Sequence, residues 1–216
     1  GKGDITNMIR SYIHRCQKDG VKIVMNCEVT PELIKEEKPD SVIIATGSKT
    51  LILPIEGIDN PAIIHGSDLL DGKRAAGKKV LVVGGGMVGC ETAAFLGEQE
   101  HDVTVIEFRD TVGADVIHEH RVYLMKDFED YGIKEITGAK VCKFYEDGVE
   151  YETADGVRHE TRGYDSVILS MGFRNYNPLE EKIKDLVPET HVIGDAIRAR
   201  RALDATKEAY AVASKL

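Results

Sequence analysis

The chain has 216 residues, 42% hydrophobic and 30% charged, with a formal net charge of −9. That length holds one large or two small globular domains, and the acidic balance speaks against a nucleic-acid or anionic-membrane surface, which would want clustered positive charge. No apolar run approaches the roughly 20 residues of a membrane span, and no signal-peptide pattern opens the chain.

The chain begins Gly1, Lys2, Gly3, Asp4 with neither Met nor a leading strand, which reads as part of a longer protein or a trimmed chain. Ile5, Met8, Ile9, Tyr12, Ile13 and Cys16 recur at helical spacing, predicting an amphipathic helix with one buried face. Gly20 stops it, and 21–25 reads as a strand. Thr30 and Pro31 mark a helix start, as N-cap and first helical residue, and Pro39 ends that helix. Residues 41–47 read as a buried strand closing on Gly47. Residues 48–78 hold two of the six prolines and read as a connector into a second domain that starts at Lys79.

There, strand 80–83, helix 87–98 and strand 103–107 form a βαβ core, followed by a helix near 115–131. Two Asp-Gly turns, at Asp147 and Asp155, separate alternating strands and predict a three-stranded antiparallel meander over 141–161. A buried strand over 165–172 closes on Gly172. A polar connector, 173–189, leads to a short strand at 191–195 and an alanine-rich helix over 202–214. The two strands ending at Gly47 and Gly172 bracket the βαβ unit. Residues 79–172 therefore read as one nucleotide-binding domain set between two pieces, 1–78 and 173–216, of another.

The chemistry concentrates in Gly84-x-Gly86-x-x-Gly89 and in Glu107, which closes the next strand 18 positions after Gly89. Gly84 permits the tight bend, Gly86 lets backbone approach a pyrophosphate, and Gly89 lets helix and strand pack closely. Phosphates then sit at the helix N-terminus, over Gly84, Gly85, Gly86, Met87, Val88 and Gly89, against unpaired N–H groups. The bland alternatives are a structural glycine turn or another ligand in the same cleft. A methyltransferase-type cleft shares such a turn, but the meander and bracketing strands disfavour it.

A carboxylate at Glu107 can accept both ribose hydroxyls of an unphosphorylated adenosine and would repel a 2′-phosphate. NAD(H) is thus expected over NADP(H); the alternatives are Arg109 as a phosphate binder and Glu107 as a plain strand cap. Glu91, expected on the first turn of the helix, gains about 0.3–1 kcal/mol from the dipole alone; the sharper reading is a hydrogen bond from the nicotinamide carboxamide. Asp195, after Gly194, is placed to hold a sugar hydroxyl or simply to turn strand into helix. Arg198, Arg200 and Arg201 read as a solvated basic edge with a minority reading as cofactor contacts. His118 and His120, two apart on a helix, diverge and make no metal pair. Cys90 reads as a small buried filler. Cys16, Cys27, Cys90 and Cys142 are scattered without CxxC or a metal-spaced cluster, which fits a reducing, cytoplasmic setting and no metal site.

Together, residues 84–91, the upstream Ala45-Thr46-Gly47 and the terminal Gly194-Asp195 resemble the two-dinucleotide-binding flavoproteins of the pyridine nucleotide-disulfide oxidoreductase superfamily. More closely, Glu28-Val29-Thr30-Pro31-Glu32, Ile44 to Gly47, residues 80–91 and residues 191–196 resemble the C-terminal FAD/NAD(P)-binding module of old yellow enzyme-type NADH:flavin oxidoreductases. That group includes 2,4-dienoyl-CoA reductase, the bacterial enoate reductases and trimethylamine dehydrogenase, and the resemblance covers nearly the whole chain. It implies an α/β fold: a Rossmann-like NAD(P)-binding domain, parallel sheet plus antiparallel meander, inserted between partial pieces of an FAD-binding domain.

In such enzymes NADH passes hydride to FAD, and electrons continue through an iron–sulfur cluster to FMN in a separate barrel. By that resemblance Gly84, Gly86, Gly89 and Glu107 hold NAD(H), Glu91 and Gly172 lie near its nicotinamide end, and Gly47 and Asp195 face FAD. The flavin does the chemistry, so no catalytic side chain is expected here. Departures from the pattern are plain in the sequence: no glycine turn precedes residue 84, and there is neither barrel nor cysteine cluster. The FAD site is thus incomplete, the remaining flavin and barrel portion is the expected partner, and the chain by itself is expected to be inactive. The alternative is a structural ADP-binding module without hydride transfer, as the trimethylamine dehydrogenase branch suggests. A homo-oligomer is compatible with the sequence and not specified by it.

Overall fold

The computed structural model describes residues 3–216; Gly1 and Lys2, which the 1–78 division includes, lie outside the described residues. Helices α1 (Asp4–Lys18) and α2 (Pro31–Glu37) precede strands β1 (Ser41–Ile44), β2 (Ser48–Thr50) and β3 (Ile64–His65) and the short helix α3 (Gly66–Leu70). Next come β4 (Lys79–Val83), α4 (Met87–Glu98), β5 (Asp102–Ile106), α5 (His118–Asp130) and β6 (Lys134–Ile136). Strands β7 (Ala139–Tyr145), β8 (Gly148–Thr153) and β9 (Arg158–Thr161) follow, then β10 (Ser166–Leu169), β11 (Phe173–Asn175), α6 (Glu180–Ile183), β12 (Glu189–Val192) and α7 (Ala202–Ala213).

The centre is a parallel sheet in the order β3-β10-β4-β5-β6. Its strands are apolar on both faces, as a sheet covered on both sides requires. Val80, Val82, Val103, Val105 and Ile168 point to one side, against Cys90, Ala93 and Leu96 of α4 and Leu124 and Phe128 of α5. Leu81, Val83, Ile106 and Leu169 point to the other, against Val141, Phe144 and Val149 of the antiparallel β7-β8-β9 meander. Period-2 alternation thus sends one strand's side chains into two separate cores. Each fully buried Val, Leu or Ile contributes about 1.5–3 kcal/mol relative to exposure.

A second, smaller core holds Ile34, Ile44, Leu179, Ile183, Val187 and Ala196. It is built on the parallel pair β1–β12, in register from Ser41 with Glu189 to Ile44 with Val192. Thr30 caps α2 as expected: its Oγ1 accepts the Leu33 N–H at 3.3 Å, with Pro31 in the first turn. The short strands β2 and β11 form a separate antiparallel pair, Phe173 opposite Thr50 and Asn175 opposite Ser48.

Four expectations need correcting. The 48–78 connector is structured: β3 adds an edge strand to the central sheet beside β10, and α3 follows it. The polar connector 173–189 likewise holds β11 and α6. Residues 21–25 form no strand; a strand exists only through pairing, and this stretch pairs with none of the described strands, leaving Val24 and Met25 exposed. Helix α1 forms where its periodicity places it, but none of its described residues is buried, so its apolar face packs against nothing described. No helix among the described residues is long and apolar enough to cross a membrane.

Candidate functional site

Strand β4 delivers the chain into its glycine turn at the carboxyl edge of the sheet. Gly84 has φ +106°, and a Cβ there would lie 2.4 Å from the Ser170 carbonyl oxygen at the end of β10. Only glycine fits so close a backbone approach in that conformation. A Cβ on Gly89 would fall 1.8 Å from the Gly84 carbonyl oxygen, so the helix can seat against the turn only if this position is bare. Gly86 is different. Its extended backbone suits any residue, and the nearest group a Cβ would meet is the Asp115 carboxylate at 3.3 Å. Its bareness keeps the N-terminus of α4 open, which is the cradle a pyrophosphate needs.

Glu107 follows β5 and is 7% exposed. Its Oε2 accepts the Gly85 N–H at 2.6 Å and its Oε1 accepts the Arg109 N–H at 3.1 Å. The carboxylate therefore does cap backbone. Each oxygen keeps a further acceptor position, and the group still lines the cleft. Gly85 sits behind it: a Cβ there would lie 2.9 Å from both the Glu107 Cβ and Val112.

The cleft, about 910 Å³, opens over the glycine turn and reaches across to the loop before α7. Of the expected residues it gathers Gly84, Gly86, Met87, Val88, Glu107, Arg109, Gly172 and Asp195. Gly85, Gly89, Glu91 and Gly47 do not line it. Gly85 and Gly89 act from behind, by packing. Gly47 has φ +74° and its carbonyl accepts the Tyr176 N–H at 3.0 Å, while its neighbour Ser48 reaches the cleft. Glu91 lies one turn into α4, which begins at Met87, and not on the first turn; its Oε1 is 3.4 Å from Nε2 of His120 on α5.

Asp195 is held from two sides. The Ser48 hydroxyl donates to its Oδ2 at 3.2 Å and the Arg200 N–H to its Oδ1 at 3.0 Å. Arg198, Arg200 and Arg201 line the cleft, with Arg200 also paired to Glu208, whose other oxygen accepts the Gly194 N–H. The guanidinium beside Glu208 holds that carboxyl below its ordinary range. Cys90 is fully buried, its Sγ 3.2 Å from the Gly85 carbonyl oxygen, and burial pushes its thiol up to about 12. It packs as a protonated thiol.

Sequence reading missed Asp115, whose Oδ1 accepts the Met87 N–H at 2.9 Å at the open helix end. It also missed Ser48, Phe108 and Phe173, which line the cleft. The available signal for Asp115 was a lone acid after Gly113 in the loop following β5. Placing 115 inside a helix hid it; α5 starts only at His118.

Compared with known proteins, residues 4–193 match the family model for pyridine nucleotide-disulphide oxidoreductases. A cinnamate reductase of Clostridium sporogenes is 29% identical over 218 residues, covering 100% of this chain and 32% of its own length. An NADH oxidase of Thermoanaerobacter brockii is 32% identical over 199 residues, 90% of this chain and 30% of its own length. A 2-naphthoyl-CoA reductase, solved in complex with 2-naphthoyl-CoA, superposes with a TM-score of 0.89 at 31% identity, over 99% of this chain and 32% of that one. The chain thus spans about a third of the length of these relatives.

Proposed function

The chain belongs to the pyridine nucleotide-disulphide oxidoreductase family, and on that footing we propose that it is the NADH-binding part of a larger flavin-dependent oxidoreductase, passing hydride from NADH to FAD. The observation that carries the reading is the placement of Glu107 and the glycine-lined α4 N-terminus in one cleft. In this reading residues 79–172 bind the dinucleotide, while 1–78 and 173–216 belong to a flavin-binding part. The length of the relatives supports a partner portion elsewhere in the parent protein. The four free cysteines suit a cytoplasmic setting.

The residues present fit a dinucleotide. Met87 and Val88 present backbone to the phosphates at the positive end of α4. Glu107, already oriented by the Gly85 and Arg109 N–H groups, takes adenosine ribose hydroxyls on its remaining acceptor positions and disfavours a 2′-phosphate. Gly172, with nothing within 4 Å of a Cβ there, leaves room in the cleft, which Asp195, fixed by Ser48 and Arg200, also lines. Bound nicotinamide supplies hydride; the side chains only position and exclude water. For FAD the fit is partial, because Asp195 and Gly47 stand without a second glycine turn, and no step is assigned through it.

Titrating NADH while following its fluorescence tests this. Saturable binding is expected, weakened roughly tenfold or more by Glu107→Ala, the scale of losing paired hydrogen bonds to a charged acceptor. No saturable binding, or binding indifferent to Glu107→Ala, sinks the proposal. A second reading, an ADP-binding module without hydride transfer, is favoured by the position of Glu91 outside the cleft lining. ADP binding as tightly as NADH, with Glu91→Ala leaving both unchanged, would support it.

A further inference from the structure

The N-terminus of α4 already has an anionic occupant. Asp115 lines the cleft, its Oδ1 accepts the Met87 N–H at 2.9 Å, and its Oδ2 stands 3.3 Å from where a Gly86 Cβ would be. Helix α4 brings no cap of its own: Gly86 has no side chain and the first turn carries no acid. A carboxylate from outside the helix therefore satisfies a donor that a pyrophosphate oxygen would otherwise take, at the place where the helix favours negative charge.

This carboxylate is held there by a loop fastened to the glycine turn itself. Gly113 donates its N–H to the Gly85 carbonyl at 2.7 Å. Val112 is 1% exposed and packs against Gly85. The Arg121 guanidinium, reaching back from α5, donates to the Val112 carbonyl at 3.2 Å and to the Thr111 hydroxyl at 3.0 Å. With residues 111–113 held in this way, rotation of the Asp115 side chain is the simplest way to free the helix end.

We propose that Asp115 is a carboxylate latch on the dinucleotide site, a residue that competes with the pyrophosphate for the α4 N-terminus and sets how tightly phosphate-bearing nucleotides bind. This rests on the dinucleotide reading of the cleft. A pyrophosphate entering the cradle meets a like charge within contact distance and must displace its hydrogen bond. The latch weakens every ligand that carries the pyrophosphate and leaves an uncharged nucleoside unaffected. It loses force as salt rises, because the carboxylate is exposed to solvent.

The test compares the chain with Asp115→Asn, which keeps an oxygen acceptor for the Met87 N–H and removes only the charge. NADH, ADP and adenosine are titrated at low and high salt, with the melting midpoint recorded for each protein. The latch predicts NADH and ADP tightening together by roughly fivefold or more at low salt, the scale of one like-charge contact near a surface. Adenosine should change less than about twofold, and the gain should shrink at high salt. Asp115→Ala should also tighten NADH.

If the chain binds NADH and Asp115→Asn binds it equally or more weakly, the latch is wrong while the dinucleotide reading stands. The same holds if adenosine tightens as much as ADP, or if both variants merely lower the melting midpoint without tightening. If neither the chain nor Asp115→Asn binds NADH or ADP, the dinucleotide reading fails and the latch with it.

Discussion

Strand β4 and the apolar face of helix α1 carry similar side chains and meet opposite fates. Val80, Leu81 and Val82 are fully buried, with helices on one face and the meander on the other. Ile5, Met8 and Ile9 are each about half exposed, although their spacing is as regular as any amphipathic helix requires. Periodicity reports which face of an element is apolar. Whether that face is buried depends on a second surface, and for α1 none of the described residues provides one. The central sheet closes its own cores from within one stretch of chain. The outer part, with the modest Ile34–Ile44–Ile183 core, does not.

This contrast can be broken by mutation. Leu81→Ala should have the largest effect, about 2–5 kcal/mol of stability, since the vacated volume lies between sheet and meander; urea unfolding followed by circular dichroism measures it. Ile34→Ala should cost about 2 kcal/mol in the smaller core. Its effect is expected mainly as faster hydrogen exchange along β1 and β12, with β4 and β5 amides retaining their protection. A uniform loss across all four strands would mean the two cores unfold as one unit. Ile9→Ser on the bare face of α1 should change stability by less than about 0.5 kcal/mol. A cost comparable to that of Leu81→Ala would show that α1 is buried after all, and the comparison would collapse.

The βαβ unit was readable in advance because several independent signals coincide there. The strands at 80–83 and 103–107 are uninterrupted apolar runs, the glycines punctuate the turn, and the Asp-Gly turns mark the meander. Each of these is local chemistry. What stayed hidden depends on distant partners. A two-residue strand such as β3 has no pattern of its own and is defined by the β10 edge it joins. The 21–25 stretch has strand composition and no described partner. Glu91 reads as a first-turn acid by its closeness to the last glycine, yet in a helix that starts at Met87 it lies past that turn, beside His120 of α5. Asp115 is the clearest case. Its role comes from a hydrogen bond spanning 28 positions, fixed by the Gly113–Gly85 contact, and no spacing rule reaches it.

The proposed function puts NADH on the α4 N-terminus beside Glu107. Its most direct test is a backbone amide NMR titration of the chain with NADH. The largest shifts are expected at Gly84, Gly85, Gly86, Met87, Val88, Glu107 and Arg109, with α1 and the outer face of α5 unmoved. Saturable shifts centred elsewhere, or an unchanged spectrum at millimolar NADH, would contradict it.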